Sequence, residues 1–178
     1  MTNKLKLIIK EEVEHFLFEM AMDELPLYPR ALKFADYVHR NQPRKSTGDK
    51  YINHPVAVSM ILSQWGFNTW YQAVSILHDV IEEALNPNIV INLIKKYFGD
   101  KILKVVKLLS HDAGTDYNEY LLNLCKTNKE AAIIKFADIW ANLHDNPTSK
   151  QKTKYINSIK YLKENGIDFI PKKLLNMI

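Results

Sequence analysis

The chain has 178 residues, 47% of them hydrophobic and 25% charged. A chain of that size closes one apolar core and buries roughly 70% of its unfolded surface, so neither disorder nor a disulfide scaffold is expected. Its formal charge of +4 is spread over a lysine-rich exterior with no aromatic-interleaved basic stripe, which argues against a nucleic-acid partner and leaves room only for a positive field that attracts a small anion.

The opening MTNKLKLIIKEEVEHFLFEM has its apolar stretch broken by Glu11, Glu12 and Glu14, so it reads as an amphipathic helix and not as a signal peptide or a membrane span. Helical periodicity continues over 3–21, 28–42, 55–65, 69–84, 88–98, 100–110, 116–127, 128–144 and 150–164. Pro87, Gly99 and Gly114 fall at breaks between these segments. Alternating strand patterns are absent, and no linker divides the chain. The expectation is an all-α, single compact domain of about eight to nine helices over 1–178, with a lysine-rich C-terminal helical extension from about 147 to 178. Apolar residues nearly surround 69–84, which marks that helix as central. The lone Cys125 excludes an internal disulfide, predicts a reducing, cytoplasmic setting, and reads as a packing residue. Oligomeric state is left open.

Three stretches carry chemistry: YINHP at 51–55, HDVIEE at 78–83 and KFAD at 135–138. An imidazole beside a carboxylate inside an apolar run needs a compensating partner. A cation serves, because neutral His nitrogen and ionised Asp oxygen both ligate it. His78-Asp79 is the one of three His-Asp pairs with such a setting; His111-Asp112 reads as a surface or capping pair, and His144-Asp145 as a helix end where His suits the dipole. On a continuous helix, His78 would lie above Glu82 and Asp79 above Glu83, putting a proton acceptor near water activated at the site. Asp138 and Asn142 share a face in the same way. His39 reads as a structural histidine. A polar loop at 41–50 leads into Tyr51 and can carry substrate contacts. Pro55 suits a first helical turn, placing His54 at or just before its start.

From Ala31 to Asn142 these motifs, in this order, resemble the HD-superfamily phosphohydrolases, and among them the hydrolase domain of RelA/SpoT-type alarmone enzymes and the small alarmone hydrolases. The strongest parts are FADYVHRNQPRKSTGDKYINHPVAVSMIL, ILHDVIEEA, YFGDKILKVVKLLS and IKFADIWANL. The resemblance implies an HD-domain helical bundle and a divalent ion, Mn2+ in that family, on His54, His78, Asp79 and Asp138, with other divalent ions open. It implies removal of the 3′-pyrophosphate from (p)ppGpp-type nucleotides, with Glu82 and Glu83 handling the water. Arg44, Lys45, Ser46 and Asn142 fall where the family contacts the nucleotide, Arg44 stacking on the base. Two positions depart from the pattern: Glu83 stands for an aspartate, and Ile139 for a basic residue after Asp138. The substrate thus stays open between a guanosine alarmone, an adenosine alarmone and another nucleotide, and a catalytically silent nucleotide-binding module is the non-enzymatic alternative.

Overall fold

The computed structural model describes residues 18, 20–44, 48–112 and 114–178; most of the expected first helix, together with Lys45 and Ser46, lies outside them. Residues 20–24 are helical, and Phe18 packs its ring against Phe34, Tyr37 and Tyr97.

Eight helices follow among the described residues: α1 Leu27–His39, α2 Asn53–Gln64, α3 Thr69–Ile76, α4 Pro87–Leu109, α5 Tyr117–Thr127, α6 Lys129–His144, α7 Ser149–Glu164 and α8 Lys172–Leu175. Side-chain caps fix several starts. Asn68 accepts from the N–H groups of Trp70 and Tyr71, Asp116 from Asn118 and Glu119, and Asn128 from Ala131. Thr148 and Gln151 form a capping box. Each satisfies backbone donors that a helix start leaves bare. The expected break at Gly99 is a kink within α4, where φ is 77° and ψ 172°, a conformation that side-chain-bearing residues avoid.

The helices close around one apolar core that includes Phe34, Leu62, Ile94, Leu121, Ile134 and Phe136. Each large side chain so buried contributes about 1.5–3 kcal/mol relative to exposure. The helix surrounded by neighbours is α6, which packs on α2, α3, α4, α5 and α7. Its buried residues run from Ala131 through Ile139 without interruption. Two of them, Lys135 and Asp138, are charged, and a helix buried nearly all round that keeps two charges signals a site.

One expectation changes. The helix predicted over 69–84 ends at Ile76; Leu77 to Glu83 continue as successive turns, with i−3 backbone bonds from Leu77, His78, Val80 and Ala84 and an i−4 bond from Glu83 to Asp79. The tighter winding displaces side chains from α-helical stacking, so the expected stacking of His78 over Glu82 gives way to successive turns. His54 is the second residue of α2 and shares its first turn with Pro55, at the helix start as expected. No helix among the described residues is long and apolar enough to cross a membrane.

Candidate metal centre

The first turn of α2, the turn after α3 and the middle of α6 meet in the core and bring His54, His78 and Asp138 together. Their ligand atoms all lie within 4.8 Å of one another. His54 Nε2 is 3.0 Å from Asp138 Oδ1 and 3.8 Å from Asp79 Oδ2. His78 Nε2 is 3.0 Å from Asp79 Oδ1 and 3.6 Å from Asp138 Oδ1. Asp79 is thus beside the trio, sharing both histidines.

Local structure sets the chemistry of each ligand. His78 is fully buried, and its Nδ1 lies 2.7 Å from the Ser75 carbonyl, a contact in which Nδ1 is the donor. That turns Nε2 toward the carboxylates, where Asp79 Oδ1 lies 3.0 Å away but out of line for a hydrogen bond. A buried orphan nitrogen aimed between two carboxylates is what a metal site requires. Burial works against a charge on His78, yet Asp79 and Asp138 outweigh it and raise its pKa to about 10. Burial would likewise lift both carboxyls. The His78 charge holds Asp79 well below its usual range. Lys135, with His54 and His78, does the same for Asp138. Nitrogen and ionised oxygen donors in this set suit a divalent ion of intermediate hardness, so the residues fit a divalent metal.

Asp138 is held from three sides: Lys135 Nζ is 2.8 Å from Oδ2, and Asn142 Nδ2 donates to Oδ1 at 2.6 Å, beside His54. Arg44 reaches the same network. Its guanidinium donates to Asn142 Oδ1 at 2.5 Å and to Asp145 Oδ2 at 3.1 Å. Tyr51 donates to Asp79 Oδ2 at 2.8 Å. Burial, reinforced by the Asp79 charge, keeps its phenol far above the usual range and therefore protonated.

The centre opens into a polar cavity of about 190 Å³ whose walls include Arg44, Asp79, Glu82, Glu83, His111, Lys135, Asn142, Lys154 and Tyr155. Both glutamates therefore face the same space as Asp79 although the helix does not stack them. Glu82 Oε2 accepts from the His111 backbone N–H at 3.2 Å and His111 lines the cavity, a contact added to the surface and capping character of the pair, in which exposed Asp112 accepts from the Gly114 N–H at 3.1 Å. Asp145 is likewise more than a helix end, since it holds Arg44. A larger cavity of about 410 Å³ adjoins, sharing Arg44 and His54 and walled on its apolar side by Ala57, Ile61, Trp140 and Ala141. His39 is buried, as expected of a structural histidine. Cys125 is buried, and burial alone pushes its thiol up to about 12, as suits a packing residue. Ile139 is buried in the core and lines neither cavity.

Sequence reasoning named no role for Lys135, Tyr51, Lys154 or Tyr155. Lys135 was readable, because it stands three residues before Asp138 on one helix. Lys154 was not. It reaches the cavity from α7, with its ammonium 3.6 Å from the Tyr117 ring centroid, and only the docking of that helix brings it there. Burial, and then the Lys135 charge, lower its pKa.

Comparison with known proteins agrees with this architecture. The chain is 30% identical over 151 residues to a guanosine-3′,5′-bis(diphosphate) 3′-pyrophosphohydrolase of Borreliella burgdorferi, a match covering 83% of this chain and 21% of that protein. Against the guanosine-3′,5′-bis(diphosphate) 3′-pyrophosphohydrolase MESH1 of Danio rerio, it is 29% identical over 121 residues, 64% of this chain and 66% of the relative. A match at 41% identity over 61 residues to the bifunctional (p)ppGpp synthase/hydrolase RelA of Mycobacterium tuberculosis covers 34% of this chain but only 8% of RelA. A solved structure described as a metazoan ortholog of SpoT that hydrolyses ppGpp superposes with a TM-score of 0.69 and 24% identity, over 86% of this chain and 92% of that one; it shares the fold. Residues 31–119 match the family described as HD domain, a span that holds His54, His78 and Asp79 and stops before Asp138. With half of its length in that match and its His-Asp pair at the centre of the helical bundle, the chain belongs to the HD-domain family.

Proposed function

We propose that the chain is a Mn2+-dependent nucleotide phosphohydrolase that removes the 3′-pyrophosphate of (p)ppGpp-type alarmones. The observation that carries this reading is the convergence of His54, His78 and Asp138, with Asp79 beside them, on a polar cavity edged by two glutamates. The naming of the Borreliella and Danio relatives as guanosine-3′,5′-bis(diphosphate) 3′-pyrophosphohydrolases supports the choice of substrate.

In this reading His54, His78, Asp79 and Asp138 hold the ion. When bound, a divalent cation polarises a phosphoryl oxygen and lowers the pKa of water. Glu82 and Glu83 take up the water's proton from the cavity wall; the His111 N–H steadies Glu82. The ammonium of Lys154 faces the same space and offsets phosphate charge. Arg44 stands where the two cavities meet. Two of its five N–H groups are taken by Asn142 and Asp145, which holds the guanidinium plane in place and leaves its face for stacking on a purine and its other donors for phosphate. Lys45 and Ser46 join the nucleotide side in this proposal on the strength of the sequence resemblance. Ile139 favours a second reading, a different nucleotide as substrate, because a buried apolar residue stands where the alarmone enzymes carry a basic one. The lone Cys125 supports a cytoplasmic setting.

The test is mass spectrometry of products after incubating purified protein and Mn2+ with ppGpp, pppGpp, their adenosine counterparts and ordinary nucleotides. Pyrophosphate with GDP or GTP is the expected outcome. Turnover confined to another nucleotide would replace the substrate, and none across several divalent metals would reject the enzymatic reading.

A further inference from the structure

Tyr51, two residues before α2, is 8% exposed and touches both halves of the site. Its hydroxyl donates to Asp79 Oδ2 at 2.8 Å, while Asp79 Oδ1 faces His78 Nε2 at 3.0 Å. A carboxylate tethered through one oxygen cannot swing freely about its terminal torsion and presents the other oxygen in a fixed direction. The ring of Tyr51 is itself clamped. The His39 imidazole stacks on it at 4.5 Å and 24°, and the Arg44 guanidinium carbon lies 5.5 Å from its centroid. His39 Nδ1 is 2.6 Å from Gln42 Oε1, and Gln42 Nε2 donates to the Glu83 carbonyl at 2.7 Å. The stack is thereby tied to the segment that carries the two glutamates.

We propose that Tyr51 is a positioning residue that joins the metal side of the site to the nucleotide side, its hydroxyl fixing Asp79 and its ring backing Arg44. The inference rests on the metal-site reading above, and its second part also on the guanine nucleotide of the proposed function. Its two parts separate cleanly, because Tyr51→Phe deletes the hydroxyl and keeps the ring, whereas Tyr51→Leu deletes both.

Titration calorimetry with Mn2+ on metal-stripped protein, without nucleotide, tests the first part. Removing a partner that orients a metal ligand typically weakens metal binding about 10- to 100-fold, and that loss is expected in both variants. Calorimetry with GDP at saturating Mn2+ tests the second: the Phe variant should bind GDP like the unaltered chain, and the Leu variant several-fold more weakly. Thermal unfolding of each variant identifies any loss due to misfolding, and the Phe variant, which keeps the packing, decides the hydroxyl's role. Mn2+ affinity within twofold of the unaltered chain in Tyr51→Phe overturns the first part, and equal GDP affinities in Phe and Leu variants overturn the second. Failure of turnover on every nucleotide leaves both measurements intact, whereas an unaltered chain that binds no divalent ion overturns this inference together with the metal site.

Discussion

Replacing Lys135 by methionine probes how the core tolerates its charges. The change keeps an unbranched stem but removes the ammonium 2.8 Å from Asp138 Oδ2, in a pair whose members are 7% and 4% exposed. Removing one partner of a buried pair costs about 3–5 kcal/mol, because the other charge is left uncompensated. Here Asp138 keeps Asn142 at 2.6 Å and His54 at 3.0 Å, which places the expected loss near the lower bound, about 3 kcal/mol. For a chain of this length each kcal/mol moves the melting temperature by about 2–4 °C, so a drop of roughly 6–12 °C is expected without metal. With saturating Mn2+ the ion neutralises Asp138 instead, and the loss should fall toward the roughly 1 kcal/mol of an ordinary hydrogen bond. Thermal and urea unfolding of both proteins, with and without Mn2+, reads the difference directly. Equal stability of the metal-free proteins, or an equal loss in the two metal states, would refute the account of Lys135 as the counter-charge.

Asp79→Ala should abolish turnover and weaken retention of Mn2+, as measured by product assay and by metal analysis after dialysis; full activity under chelation would reject the mechanism. Arg44→Ala should raise KM with little change in metal content, whereas a collapse of metal content would make Arg44 part of the scaffold. The titration of His78 gives a pH signature. Its folded pKa of about 10 stands above the ordinary 6.5, so its stabilisation of metal-free protein is fully present below 6.5 and is lost as pH rises through 10. The slope is at most about 1.4 kcal/mol per pH unit for one such group. Mn2+ displaces that proton, so calorimetry in buffers of different ionisation enthalpy should detect proton release at neutral pH. Metal binding without proton release would show that His78 is neutral beforehand.

Helix content and chain order were legible because they depend on neighbours a few residues apart. Asn68, Asp116, Asn128 and Thr148 each cap a helix through an N–H two or three positions on, and Gly99 breaks one through its own φ. The ligand types were legible for the same reason: an imidazole and carboxylates at His78, Asp79 and Asp138 are costly in apolar runs whatever the fold. Tertiary structure alone decided their convergence, since His54 and Asp138 meet only because α2 and α6 pack together. It also turned residues 77–83 away from the regular helix their apolar pattern predicts. The arrival of Lys154, the Tyr51 hydrogen bond to Asp79 and the capture of Arg44 by Asp145 arise where distant segments dock. Such contacts leave no periodicity in the sequence, because they depend on where whole helices come to rest and not on the local propensity of either partner.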